Sequence, residues 1–270
     1  MTSHRTIRPK LLLLDGTSVV RRVWEAVPGE EGPQRVEGVL AASMHSIKRA
    51  LAEHQPTHFL AAFDAGGTTW RHALFESYKM TRPPMFAGLR AALPQLYAQM
   101  EALGFAWVSP PGVEADDTLA TVSVRAAARG FDVVVVTNDM ELCVLLVHGV
   151  RVYSHFARAW RDAAWLEKRL GVRPHQVPGH MALVGLEKKS VPGVKGVGPK
   201  TASRLLVEHG TLEAVLAAAP QIPGKLGERL REAAPLCRRN LQLFTLKTDV
   251  VVGLRPSQLA LPNRTFSRVA

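Results

Sequence analysis

Three short apolar runs in this chain each end in a carboxylate: KLLLLD at 10–15, HFLAAFD at 58–64 and FDVVVVTND at 131–139. Their cores are continuously apolar rather than alternating, so both faces of each run need cover. That is the pattern of strands inside a parallel sheet. Helical periodicity separates the runs over about 34–54, 86–103 and 115–129. The alternation predicts an open α/β domain with right-handed crossovers. FAWVS at 105–109 and VRVYS at 150–154 are the fourth and fifth strand candidates.

Beyond about residue 165 the pattern changes to short helices joined by Gly and Pro turns: 166–170, 176–184, 200–209, 211–218 and 225–245. VVV at 250–252 is expected to return to the first domain as a strand or an extended tail. Charge divides at the same place. Through residue 165 there are 17 Lys/Arg against 16 Asp/Glu, and after it 17 against 7, so nearly all of the net +11 lies in the last third. A surface of that kind suits a polyanion. No apolar run reaches the ~18 to 20 residues of a membrane span, and LLLL at 11–14 is too short for a signal-peptide core. Cys143 and Cys237 have no metal-ligand spacing and read as reduced packing residues of a cytoplasmic protein.

In an open α/β sheet, ligands bind beyond the carboxyl ends of the strands. Asp15, Asp64 and Asp139 fall there, and VEADD at 113–117 adds Glu114, Asp116 and Asp117 at a helix start. Any one of these aspartates is equally well explained as a helix cap. Gathered at one sheet edge they repel each other unless a cation joins them, and hard oxygen donors suit Mg²⁺, with Mn²⁺ able to substitute.

Two further stretches carry cations. TTWRHALFESYKMTRPPM at 68–85 interleaves Arg71, Lys79 and Arg82 with Trp70, Phe75 and Tyr78, a mixture suited to phosphates and unpaired bases. Lys79 and Arg82 are expected at i and i+3 of a helix, within reach of one phosphate. VGLEKKSVPGVKGVGPKTASRLL at 184–206 runs a glycine-rich loop into a helix, which binds anions through free N–H groups. It is not a nucleotide P-loop: Pro199 displaces the lysine from its register and lacks an N–H.

Together, LLLLDG at 11–16, WRH at 70–72, YKMTRPPM at 78–85, EADD at 114–117, TND at 137–139 and PGVKGVGPKTA at 192–202 resemble the 5′-nuclease family of flap endonucleases and polymerase-associated 5′–3′ exonucleases. The resemblance implies a PIN-like parallel-sheet nuclease domain at 1–165, with a helical arch near 68–90. A helical, helix–hairpin–helix-type DNA-binding domain would follow at 166–270, its hairpin at 192–202. It implies a cytoplasmic, monomeric enzyme that hydrolyses the 5′ arm of branched or flapped DNA. Asp15, Asp64, Glu114, Asp116, Asp117 and Asp139 would hold Mg²⁺, and Lys79 and Arg82 would act on the scissile phosphate. Arg71, Tyr78, Lys79, Arg82 and the hairpin residues Gly196, Val197, Gly198, Pro199, Lys200 and Thr201 would touch DNA. It also implies K⁺ held by the carbonyls of Leu183, Val184, Pro192, Val194 and Val197.

One departure matters. Most of the family carries G-D-x-S-D-N before the hairpin, two of whose acids help hold a second metal; here GLEKKS at 185–190 puts Leu186 and Lys189 in their places. In this the chain is most similar to the Xni subgroup. One divalent site is expected rather than two, Glu141 is left open as a ligand, and the alternative is a branched-DNA binder that no longer cleaves.

Overall fold

The structure is a computed structural model, and it describes residues 8–262. The first strand, β1 (Lys10–Asp15), leads into α1 (Gly16–Ala26) and α2 (Pro33–His54). Then come β2 (His58–Ala62), α3 (Trp70–Leu74), α4 (Ala87–Ala102), β3 (Trp107–Val108), α5 (Ala115–Ala127), β4 (Asp132–Val136), β5 (Arg151–Ser154) and β6 (Ala159–Trp160). The sheet runs β3-β2-β1-β4-β5-β6, parallel except for β6. β1 therefore lies between β2 and β4, and the chain reverses its direction of growth there. A crevice opens at such a point beyond the strand ends.

The apolar runs are continuous because the pleat sends alternate residues to opposite covered faces. Leu12, Leu14 and Phe59 pack with α1, α2 and α4, whereas Leu11, Leu13 and Leu60 pack with α5. Each Leu of β1 is at most 1% exposed. Burying one such side chain contributes about 1.5–3 kcal/mol, so the four in β1 anchor the sheet.

The remaining elements are α6 (Ala163–Leu170), α7 (Val177–Val184), the hairpin strands β7 (Gly185–Leu186) and β8 (Val191–Pro192), α8 (Pro199–His209), α9 (Leu212–Ala218), α10 (Gly224–Glu232) and α11 (Ala234–Phe244). They share a second core around Leu183, Leu206, Val215 and Phe244.

Two expectations need correction, an open alternative is decided and one helix is new. The pattern over 225–245 is two helices, because Pro235 opens α11 with no N–H to continue α10. The tail at 250–252 takes the second of its two expected forms, returning without a strand, with Val250 N donating to Thr121 Oγ1 at 3.2 Å. Helix α1 directly follows Asp15, which caps it through Ser18 N at 2.9 Å, and the sequence reading did not anticipate it. Finally, Lys79 and Arg82 are not on a helix. After α3 the chain turns, with Lys79 left-handed at φ 57° and its N–H donated to Lys189 O at 2.8 Å. Pro83 and Pro84 then forbid helical hydrogen bonding up to α4.

Candidate active site

The crevice at the strand ends is a cleft of about 1650 Å³, with Asp15, Asp64, Asp116 and Asp139 on its wall. Each reaches it from a different element: the end of β1, the loop after β2, the first turn of α5 and the loop after β4. Short-range hydrogen bonds aim them. Asp15 accepts from Ser18 N and from Thr137 Oγ1, both at 2.9 Å. Asp64 accepts from Ala115 N at 2.8 Å, and its own N–H donates to Thr17 Oγ1 at 2.7 Å. Asp139 accepts from Glu141 N at 3.1 Å. These aspartates cap backbone and face the cleft together, so the two readings of them are compatible.

Their electrostatics are those of a crowded anionic site. Burial, then the charges of Asp64 and Asp139, push Asp15 up to about 7 against the pull of its hydrogen bonds. Burial and the neighbouring Asp139 push Asp116 well above the usual carboxylate range. Burial also acts on Asp139, but Lys189 and Lys188 outweigh it and hold that carboxyl low. A divalent cation would relieve this repulsion, and the all-oxygen donor set fits Mg²⁺ or Mn²⁺. Among the described residues no three acids converge tightly enough to grip an ion directly as they lie.

Three other acids form a second layer, each bound to a buried cation. Asp117 is fully buried and takes both Arg71 Nη1 and Nη2, at 2.6 and 2.9 Å. Trp70 Nε1 and Lys247 N also donate to it, each at 3.0 Å. Glu114 meets Lys79 Nζ at 2.5 Å and Arg71 Nη1 at 3.3 Å, and Tyr78 donates its hydroxyl at 3.2 Å. Burial alone would raise Glu114, but Lys79, Lys189 and Arg71 hold it down to about 2. Glu141 pairs with Lys189 Nζ at 2.6 Å, and that ammonium lies 3.8 Å from Asp116.

This layering changes several assignments. Asp117 has no free oxygen facing the cleft, so in this arrangement it is not placed to ligate an ion. Arg71 is 0% and Tyr78 1% exposed, which withdraws both from direct DNA contact. Glu114 holds Lys79 rather than standing open. Lys79 and Arg82 do line the cleft, joined by Arg21, Arg90, Arg161 and Lys188, which the sequence reading did not single out. Leu186 packs into the helical core.

The hairpin is held by close backbone approach. A Cβ on Gly193 would fall 2.1 Å from Val184 O, so only glycine fits there. Gly198 precedes α8 without a side-chain cap, and a first helical turn leaves the N–H groups of Lys200 and Thr201 unpaired. Gly196, Gly198 and Lys200 are accessible, whereas Val197 is buried. Leu183 O accepts from Val194 N at 2.8 Å, Val194 O from Val197 N at 2.9 Å, and Pro192 O from Asn240 Nδ2 at 2.7 Å. Each of these carbonyls keeps a second lone pair. The fully buried Asn240 also donates to Ala182 O, bracing the hairpin on α7. Its signal was a lone amide on the apolar face of α11.

The family description "5′-3′ exonuclease, N-terminal resolvase-like domain" matches residues 10–171, and "5′-3′ exonuclease, C-terminal SAM fold" matches 172–266. A protein named flap endonuclease Xni from Pectobacterium carotovorum is 34% identical over 96% of this chain and 97% of its own. One of the same name from Salmonella dublin is 34% identical over 93% and 98%. Among solved structures, T5 5′-exonuclease with bound zinc superposes at a TM-score of 0.73 with 21% identity, covering 88% of this chain and 90% of that one.

Proposed function

The chain belongs to the 5′-3′ exonuclease family, and from that premise we propose that it is a structure-specific DNA nuclease that cleaves the 5′ arm of flapped or branched duplex. The observation that carries this reading is the placement of four cleft-facing aspartates beside a cationic rim, next to a basic helical part with an open hairpin. Its curated relatives carry the name flap endonuclease.

Asp15, Asp64, Asp116 and Asp139 would hold one Mg²⁺, or Mn²⁺ in its place. When bound, the ion would activate water and offset the charge that develops on the phosphoryl oxygens. The protein's own groups then have distinct tasks. Lys79, held by Glu114, and Arg82 steady the scissile phosphate electrostatically. The free N–H groups of Lys200 and Thr201, with the Lys200 ammonium, hold a duplex phosphate without reading sequence. Leu183, Val184, Pro192, Val194 and Val197 would offer carbonyls to a K⁺ that braces the hairpin. No helix among the described residues is long and apolar enough to cross a membrane, and the reading is of a monomer acting in the cytoplasm.

The test is Mg²⁺-dependent cleavage of a 5′-flap duplex by the wild type and by Asp116→Asn. Cleavage by the wild type alone supports the enzyme. The second reading, a branched-DNA binder, draws on the Lys189 ammonium sitting among the acids. Tight flap binding with no cleavage in Mg²⁺ or Mn²⁺ would favour it.

A further inference from the structure

The part of the cleft wall that comes from β5 and β6 carries a guanidinium with little to bind. Arg161 directly follows β6, and its backbone N–H donates to Val152 O at 2.8 Å, which fixes the residue against β5. Its side chain lines the cleft with Asn138, Asp139, Ser154 and Lys188. Nη2 makes one long bond, to Ser154 Oγ at 3.4 Å, and Nη1 is buried with no partner. Arg161 forms no ion pair among the described residues. The acid whose charge it feels is Asp139, which is already held by Glu141 N and by Lys188 Nζ at 3.3 Å.

Burial pulls the guanidinium below its ordinary range, and Cys143 and Asp139 offset that only in part. A half-buried cation in that condition is unfavourable until an anion reaches it, and a guanidinium fork matches phosphate oxygens. Little holds it back. Turning toward the cleft would give up only the long bond to Ser154 and the contact with the Trp165 ring, 5.1 Å away. Ser154 Oγ itself donates to Asn138 Oδ1 at 2.9 Å, which orients that amide, and no bond among the described residues takes its Nδ2. The exposed Lys188 ammonium adds a second charge. Strands lie about 4.8 Å apart, so β5 ends roughly 10 Å from the end of β1, close enough for one strand of nucleic acid to cover both. Arg161 also leads into α6, whose Leu170 O accepts from Ser203 Oγ of α8, and the first turn of α8 carries the duplex contact proposed for Lys200. Lys188 lies in the turn that runs into the hairpin. Both cations therefore belong to the duplex-holding side of the cleft.

We propose that Arg161, with Asn138 and Lys188, forms a phosphate subsite for the part of the cleaved strand that stays paired. This rests on the flap-cleaving reading above. The phosphate is either a diester next to the cleavage point or a terminal monoester of the paired strand, and the same donors serve both.

Fluorescence anisotropy in EDTA, where no cleavage intervenes, tests it on 5′-flap duplexes. One phosphate at a time, along the paired region next to the flap, is replaced by a neutral methylphosphonate. Nicked duplexes with a 5′-phosphate or a 5′-hydroxyl at the nick are measured alongside. Arg161→Ala is compared with the wild type and with Arg151→Ala, an exposed arginine outside the cleft, as the control for net charge. Loss of a charge-assisted contact should weaken binding of the unmodified flap about tenfold, and Arg151→Ala should leave it unchanged. At one position methylphosphonate should weaken the wild type by a similar factor and Arg161→Ala no further, because one contact can be lost only once. That coupling assigns an internal diester. A wild-type preference for the 5′-phosphorylated nick that disappears in Arg161→Ala assigns the terminal monoester. If every methylphosphonate penalty is the same in both proteins and no nick preference depends on Arg161, the subsite is overturned, whatever the overall loss of affinity. Arg161→Gln, read in the same way, replaces Arg161→Ala if that variant does not fold. A wild type that binds the flap no better than an unbranched duplex sinks the flap reading itself. The two nicked duplexes then judge Arg161 alone, and no difference between wild type and variant overturns it.

Discussion

Replacing Lys189 by methionine should create a second divalent site. The side chain is 3% exposed, and its ammonium sits 2.6 Å from Glu141 and 3.8 Å from Asp116. At an effective dielectric of about 20, a charge pair 3.8 Å apart interacts by roughly 4 kcal/mol, and a divalent ion placed beside the ammonium would meet repulsion of that order or more. Lys189→Met removes the repulsion and leaves Glu141 buried without its cation, at a cost of about 3–5 kcal/mol to the metal-free protein. For a chain of this size that lowers the melting temperature by roughly 10 °C. A Mn²⁺ ion bound by Glu141, Asp116 and Asp139 would recover about 2.7 kcal/mol at a hundredfold excess over its dissociation constant. The assay is Mn²⁺ titration followed by electron paramagnetic resonance without DNA, with melting curves at each end. One ion per chain is expected for the wild type, two for the variant, and a larger Mn²⁺-induced gain in melting temperature for the variant. A second strong anomalous peak beside Leu186 and Lys189 in Mn²⁺-soaked wild-type crystals would refute the reasoning, as would an unchanged stoichiometry in Lys189→Met.

Adjacent acids should behave in opposite ways: Asp117→Asn, which breaks the Arg71 pair, should lower stability by about 3–5 kcal/mol with Mn²⁺ affinity unchanged. Asp116→Asn should lower Mn²⁺ affinity without destabilising the metal-free fold, and calorimetry reads both. Lys200→Ala should weaken unrelated duplexes alike and reduce the salt slope of binding by about one, because the contact proposed for it is with a phosphate; a loss confined to one sequence would mean base readout. If K⁺ braces the hairpin, duplex affinity should fall when K⁺ is replaced by an equal concentration of a bulky organic cation, and equal affinities would remove the ion from the account. His155 is 1% exposed and its Nδ1 is unpaired, and burial, then the Arg49 charge, takes its pKa from an ordinary 6.5 to about 4. Its contribution to stability is full above pH 6.5 and is lost as pH falls through about 4, so His155→Gln should flatten acid unfolding over that window.

The parallel sheet was legible because β1, β2 and β4 are buried on both faces, and a continuous apolar run ending in Asp has few other uses. The helical part was legible from Gly and Pro punctuation, except where Pro235 divides one periodic stretch into two. The turn holding Lys79 and Arg82 was not legible. Its conformation depends on Lys79 N bonding Lys189 O and on Thr81 N bonding Ser190 Oγ, both about 110 residues away. Local pattern favours a helix there, and tertiary contact with the 187–190 turn wins. The acidic box was read as one unit, although neighbouring residues on a helix point about 100° apart. Asp116 turns to the cleft and Asp117 to Arg71, and the partner that separates them lies 46 residues earlier in the chain.

The pairing of charges explains how seven acids near one sheet edge coexist with a folded chain. Arg71, Lys79 and Lys189 bind Asp117, Glu114 and Glu141 in turn. Each of these pairs joins distant parts of the chain alongside other bonds: Arg71 also donates to Leu243 O, and Lys79 and Lys189 share a backbone hydrogen bond. Neutralising the inner layer removes three of the seven charges and fixes the walls of the cleft. What remains is Asp15, Asp64, Asp116 and Asp139, with Lys188 Nζ 3.3 Å from the last. In the proposed site, a remainder of four carboxylates and one exposed ammonium would leave a net anionic field for one hydrated divalent ion. A second would have to displace Lys189 from Glu141, and with it one of the contacts that hold the turn bearing Lys79 over the cleft. On the proposed function, the lysine before the hairpin would therefore act on metal count and on the position of Lys79 through the same buried ammonium.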